Sequence, residues 1–173
     1  MKVRFAHTNL VARNWRTLSR FYIDVFGCEP KPPLRNLRGR WVDRLTSLNH
    51  ARVRGIHLLL PGRTPHGPTL EIFEYSPAAQ NRKSSINMPG FGHIAFEVTD
   101  VERMRESVLA HGGSTVGEVV QASIKGAGSI CVVYVRDPES NIVELQRWDR
   151  SPAPRRNPGG KRRRTTTLGN LPS

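Results

Sequence analysis

The feature that most constrains this chain is a repeat within it. Residues 5–11 read FAHTNLV and residues 91–97 read FGHIAFE, each with an aromatic residue, a small residue and a histidine heading an apolar stretch. His7 and His93, Asn14 and Asp100, and Gly27 and Gly113 are each separated by 86 positions. An Asn or Asp side-chain oxygen satisfies orphan N–H groups at a helix start, and glycine suits the left-handed residue that ends a helix. One offset shared by strand, cap and helix stop marks an internal duplication, so the fold must be one that two similar halves can build.

Each half reads as strand, helix and three strands. In the first, Asn14 opens a helix whose Trp15, Leu18, Phe21, Tyr22, Val25 and Phe26 form one apolar stripe, a core face, and Gly27 closes it. Strands are predicted within 51–61 and 68–76, with a weak one near 39–46. The Pro/Arg-rich stretch 29–43 reads as an insertion after the helix. In the second half a strand at 92–98 leads to a helix capped by Asp100 and stopped by Gly112 or Gly113. Strands follow at 114–121, 129–136 and 141–148, the last two joined by the turn DPESN. The Gly-rich KGAGS at 125–129 has no following helix and is no phosphate loop; it reads as a flap or a hairpin turn. The predicted fold is α+β, two tandem βαβββ modules at 1–76 and 91–148, with a polar linker at 77–90 and a tail at 149–173.

The net charge of +13 on 173 residues suggests a nucleic-acid partner until it is divided. The tail holds seven Lys or Arg and one acid, a net +6, in a Pro, Gly and Thr background too poor in apolar residues to order itself. No aromatic residues interleave with its KRRR run to stack on bases, so nucleic acid is expected at most as a weak partner of the tail. The remaining +7 suits small anionic substrates, carboxylates or acyl-CoA thioesters among them. No apolar run reaches the length of a membrane span, the N-terminus lacks a signal-peptide core, and Cys28 and Cys131 make no disulfide framework and read as small buried hydrophobes. The expected compartment is cytoplasmic.

Glu71 in TLEIF and Glu144 in IVELQ stand on the final predicted strand of each half. A carboxylate between apolar strand neighbours is costly unless paired, protonated or bound to a cation. Two histidines and two such glutamates form an N₂O₂ donor set suited to Zn, Ni, Co, Mn or Fe(II). The same residues also read as surface-facing glutamates and ordinary interior histidines.

In this order the segments FAHTNLVARNWRTLSRFYIDVFG, TLEIFEY, GFGHIAFEVTDVE and DPESNIVELQ resemble the vicinal oxygen chelate superfamily: glyoxalases, methylmalonyl-CoA epimerases, extradiol dioxygenases and bleomycin- or fosfomycin-resistance proteins. The resemblance covers residues 3–148. It implies paired βαβββ modules closing an open barrel-like cleft around one divalent ion, held at His7, Glu71, His93 and Glu144. It also implies a lyase or isomerase that removes a proton beside a metal-bound carbonyl, with Glu144 or Glu71 as first base candidate and His57, near the epimerases' catalytic carboxylate, as second. Asn9 and Gln146 share strand parity with the ligand positions. Val11 and Tyr75 stand where glutathione-using members carry arginine and asparagine, so the glutathione-binding pattern is absent. Two other activities remain open within the resemblance: an Fe(II) extradiol-type dioxygenase using His7, His93 and Glu144, and a metal-free resistance-type binding protein. Modules of this family often pair between chains, which makes a homodimer the expected assembly.

Overall fold

The computed structural model describes residues 3–62, 66–79 and 85–149; the expected basic tail from residue 150 onward, and part of the linker, lie outside the described residues. The first half contains β1 (His7–Val11), α1 (Trp15–Phe26), β2 (Glu29–Arg38), α2 (Arg40–Thr46), β3 (Arg52–Leu59) and β4 (Thr69–Ser76). The second contains β5 (Ile94–Glu97), α3 (Val101–Ala110), β6 (Ser114–Thr115), β7 (Val120–Ile124), β8 (Gly128–Arg136) and β9 (Ile142–Asp149). The sheets run β1-β4-β3-β2 and β5-β9-β8-β6, with β7 also paired to β8. In both, the first strand lies parallel to the last and the other pairings are antiparallel.

The duplication is visible in the helices. α1 begins at Trp15 and α3 at Val101, again 86 residues apart. The Asn14 side chain accepts from the N–H groups of Arg16 and Thr17 at 3.1 and 3.2 Å, and Asp100 accepts from Arg103 N–H at 3.0 Å. Gly27 closes α1 at φ 66°. α3 stops earlier in its turn pattern, with Gly112 at φ 87°. Gly113 then lies so close to the helix that an added Cβ would sit 2.4 Å from Val108 Cγ1.

Two expectations from the first half need correction. Residues 29–38 are not an insertion but strand β2, and the weak strand near 39–46 is instead helix α2. Proline has no N–H to donate and is tolerated at a sheet edge. β2 is that edge, and its pairing with β3 shifts between Lys31 and Arg35, where Pro32 and Pro33 stand. The added length in this half is therefore α2 and its flanking loops. In the second half, 114–121 splits into two strands around the turn at Val116 and Gly117, and KGAGS is the β7–β8 hairpin turn, with Ala127 N–H donating to Ile124 O at 3.0 Å.

One core joins the halves. Leu18, Phe21, Tyr22, Val25 and Phe26 of α1 pack with Ile56, Leu58, Leu70 and Ile72 of the first sheet and with Phe96, Val133, Val143 and Leu145 of the second. Each such side chain, fully buried, contributes about 1.5–3 kcal/mol. The rings of Phe26 and Phe96 stack at 4.1 Å, and the buried Tyr22 hydroxyl donates to Asp137 Oδ2 at 3.0 Å. Cys28 and Cys131 are free and buried. A smaller cluster of Val42, Ala51, Val53 and Phe73 lies under α2. Because side chains alternate along a strand, Val53 and Phe73 share a face with His57 and Glu71, opposite the face that α1 covers. α2 thus closes one end of the sheet face that carries the polar residues.

Candidate functional site

Strand register brings the predicted residues together in pairs. Parallel β1 and β4 place Asn9 opposite Glu71, and antiparallel β3 and β4 place His57 opposite Glu71. Glu71 is buried, its side chain 11% exposed. Its Oε2 lies 3.4 Å from His7 Nε2 and accepts from Asn9 Nδ2 at 3.4 Å, while Oε1 lies 3.0 Å from His57 Nε2. The other His57 nitrogen, Nδ1, is 3.0 Å from Thr69 Oγ1. Burial pushes the His57 imidazole below its ordinary pKa, with Arg35, His7 and Lys31 acting the same way and Glu71 opposing them. A neutral His57 that donates Nε2–H to Glu71 and accepts the Thr69 hydroxyl at Nδ1 satisfies both nitrogens.

The second half repeats the arrangement. His93, just ahead of β5, holds Nε2 at 3.0 Å from Glu144 Oε2. Opposite Glu144 on β8 stands Tyr134. Its hydroxyl hydrogen-bonds to Glu144, its ring lies 5.2 Å from that of His93, and burial together with the Glu144 charge raises its pKa, so it remains a proton donor. The sequence reading missed Tyr134, although the signal was present. The turn 137–141 centres on Glu139, and strand positions equidistant from that centre pair, as Tyr134 and Glu144 do. Gln146, which shares strand parity with Glu144, accepts from Trp148 Nε1 at 2.8 Å.

As metal ligands, the four residues are suitable in kind and match pairwise in spacing. Donors about 2.0–2.2 Å from one ion lie roughly 3.0–3.5 Å apart at octahedral or tetrahedral angles, and His7–Glu71 and His93–Glu144 are separated by 3.4 and 3.0 Å. The same separations also suit imidazole–carboxylate pairs without an ion. The pairs are not drawn into one cluster: among the described residues no group of three or more His, Cys, Asp or Glu is placed to hold a metal ion. The strands that carry or follow the histidines, β1 and β5, are edge strands, and a small cleft of about 60 Å³ is lined by Leu10 of β1 with Phe91, Gly92, His93 and Ile94. β1 therefore approaches the His93 segment at Leu10, not at His7. A larger cleft, about 250 Å³, opens beside His7, His57 and Thr69, with Arg4, Lys31 and Arg35 on its walls.

The chain is similar to known proteins at two levels, local sequence and fold. A putative lactoylglutathione lyase from Brassica oleracea var. gemmifera is 38% identical over 65 residues, 38% of this chain and 22% of that protein, so the match spans under a quarter of the relative's length. Among solved structures, a glyoxalase family protein from Bacillus cereus superposes with a TM-score of 0.71 at 22% identity, covering 86% of this chain and 95% of that one. A mutant of the fosfomycin resistance protein FosX from Listeria monocytogenes, complexed with Mn(II) and 1S,2S-dihydroxypropylphosphonic acid, superposes with a TM-score of 0.52 at 17% identity, covering 84% and 92%. These structures share the fold. The family model described as the Glyoxalase/Bleomycin resistance protein/Dioxygenase superfamily matches residues 4–145, most of the chain and both halves of its duplication, and the chain belongs to that superfamily.

Proposed function

We propose that the protein is a divalent-metal-dependent lyase or isomerase that removes a proton next to a carbonyl group. The observation that carries the reading is the recurrence of one His–Glu pair in each half, on strands related by the duplication, at 3.4 and 3.0 Å. His7, Glu71, His93 and Glu144 would hold the ion. When bound, it supplies Lewis acidity that stabilises the negative charge developing on the substrate oxygen.

The chain's own residues divide the proton work unequally. Glu71 is engaged by His7, His57 and Asn9, which keep its carboxylate in place. Glu144 is engaged by His93 and Tyr134. Having fewer fixed donors, Glu144 is the better general base, and the protonated Tyr134 hydroxyl orients it. His57, 3.0 Å from both Glu71 and Thr69, is the second base candidate. The matching stretch of the lactoylglutathione lyase relative favours a glyoxalase-like reaction, while Val11 and Tyr75 argue against glutathione as the carrier.

Metal content per chain of the purified protein tests the reading, measured beside Glu71→Ala and His93→Ala. About one ion per wild-type chain, lost in both variants, supports it; equal content in all three overturns it. Turnover is then sought with methylglyoxal–thiol adducts, methylmalonyl-CoA, catechols and a hydroxylated phosphonate. A second reading, a metal-free binding protein, is favoured by one observation: the Glu71 carboxylate already has three nitrogen partners. Stoichiometric ligand binding with neither metal nor turnover would establish it.

A further inference from the structure

We infer that the cleft between the segment ahead of β1 and the irregular stretch of β2 is a subsite for the terminal oxyanion of a small ligand, a phosphonate, phosphate or carboxylate. In the first sheet the register runs across four strands in one row: Asn9, Glu71, His57 and Lys31. Side chains directly opposite one another share a face, so Lys31 stands on the same side as the paired imidazole and carboxylate. Arg35, on the far side of the β2 register shift, lies opposite Gly55, which shares the His57 face and is packed against the Phe73 ring. The Arg35 guanidinium donates to the Pro33 carbonyl, and Arg4 donates to the His66 carbonyl at 3.4 Å, which anchors both heads at the cleft.

Among the described residues no Asp or Glu lines this cleft. The nearby Glu71 is engaged by His57, His7 and Asn9. Three cations around a concave site concentrate positive potential, and an arginine fork matches the paired oxygens of a carboxylate or a phosphonate. Size narrows the ligand: about 250 Å³ is below the roughly 300–1,000 Å³ of drug-sized sites and suits a small charged head rather than an extended carrier. Among the described residues, the corresponding row of the second half carries no cation. Its row runs Ala95, Glu144 and Tyr134 and reaches Val116, whose N–H donates to Tyr134 O at 3.0 Å. The duplication has therefore diverged, giving the first half the anion and the second the less crowded carboxylate.

The assignment deepens the proposed function by giving its substrate an anionic end and rests on that reading for turnover, but not for binding. The test is calorimetry with methylphosphonate, inorganic phosphate and acetate on the full chain, chelator-treated and metal-loaded. Backbone amide shifts of Ala6, Lys31 and Gly67 localise the site. Saturable binding of at least one anion with shifts at those amides is expected, weakened about tenfold, or about 1.4 kcal/mol, by Arg35→Gln and by Lys31→Gln. Arg20→Gln, on the outer face of α1 and paired with Asp24, serves as the control and leaves it unchanged. Preference among the three anions identifies the head group. No saturable binding, or equal loss in Arg35→Gln and Arg20→Gln, overturns the inference. Anion binding without stoichiometric metal would leave the subsite standing and remove the metal reading; metal binding with Arg35→Gln unaffected would do the reverse.

Discussion

Tyr22→Phe should loosen the junction between the two halves by an amount that the structure allows to be worked out. Tyr22 lies in α1, fully buried, and donates to Asp137 Oδ2 at 3.0 Å; Asp137, 2% exposed, begins the β8–β9 turn. The same carboxylate accepts from Asn141 Nδ2 at 2.8 Å and from the N–H groups of Glu139 and Asn141, both at 2.9 Å. Removing the tyrosine hydroxyl leaves Oδ2 with its Asn141 partner, so the cost is one hydrogen bond to a buried charged group, about 1.5 kcal/mol. Asp137→Ala is worse: it strands the buried Tyr22 hydroxyl and three part-buried donors and should cost about 3–5 kcal/mol. In the Asp137→Ala background, Tyr22→Phe deletes an already unpaired hydroxyl and should cost almost nothing, so the cycle should show a coupling of about 1–2 kcal/mol. Urea unfolding followed by circular dichroism measures all four proteins, with an unchanged m-value as the sign that only stability has moved. A Tyr22→Phe cost within about 0.3 kcal/mol of zero, or single-variant costs that simply add, would refute the idea that this bond ties the halves together.

Other outcomes follow from the same geometry. Cys28 is buried and its thiol is pushed up to about 12, so it should resist alkylation at pH 8 in the native protein and react on unfolding. Since its folded pKa is raised, its contribution is intact below the unfolded thiol value and lost as pH rises from about 9 toward 12, and Cys28→Ala should flatten that part of the stability profile. Gly55→Ala should destabilise severely, by about 2–4 kcal/mol, as its Cβ would lie 2.0 Å from Ile72 O, whereas Gly117→Ala meets nothing within 4 Å and should be nearly neutral; thermal melts compare them. Once a substrate is found, Tyr134→Phe should lower kcat about tenfold with KM little changed, since in the proposed reaction the hydroxyl orients Glu144 rather than holding substrate; a KM effect alone would count against that role.

The duplication and most of its elements were legible because they rest on local chemistry. Asn14 and Asp100 cap their helices, Gly27 and Gly112 turn the chain, and the α1 stripe becomes the core. β2 was not legible, because three prolines argue against a strand unless the strand lies at an edge, and edge position belongs to the sheet rather than to the segment. The pairing of each histidine with a glutamate could be expected from spacing and resemblance; which further side chains face those carboxylates could not. Thr69 behind His57, Tyr134 beside Glu144 and Lys31 in the His57 row meet their partners only through strand register. The sequence by itself determined that two like halves would each carry a histidine near the first strand and a glutamate on the last. Only the tertiary structure decided that the halves differ, because a one-residue change of register moves a side chain to the opposite face of a sheet. That register places a basic cleft beside one pair and a tyrosine beside the other.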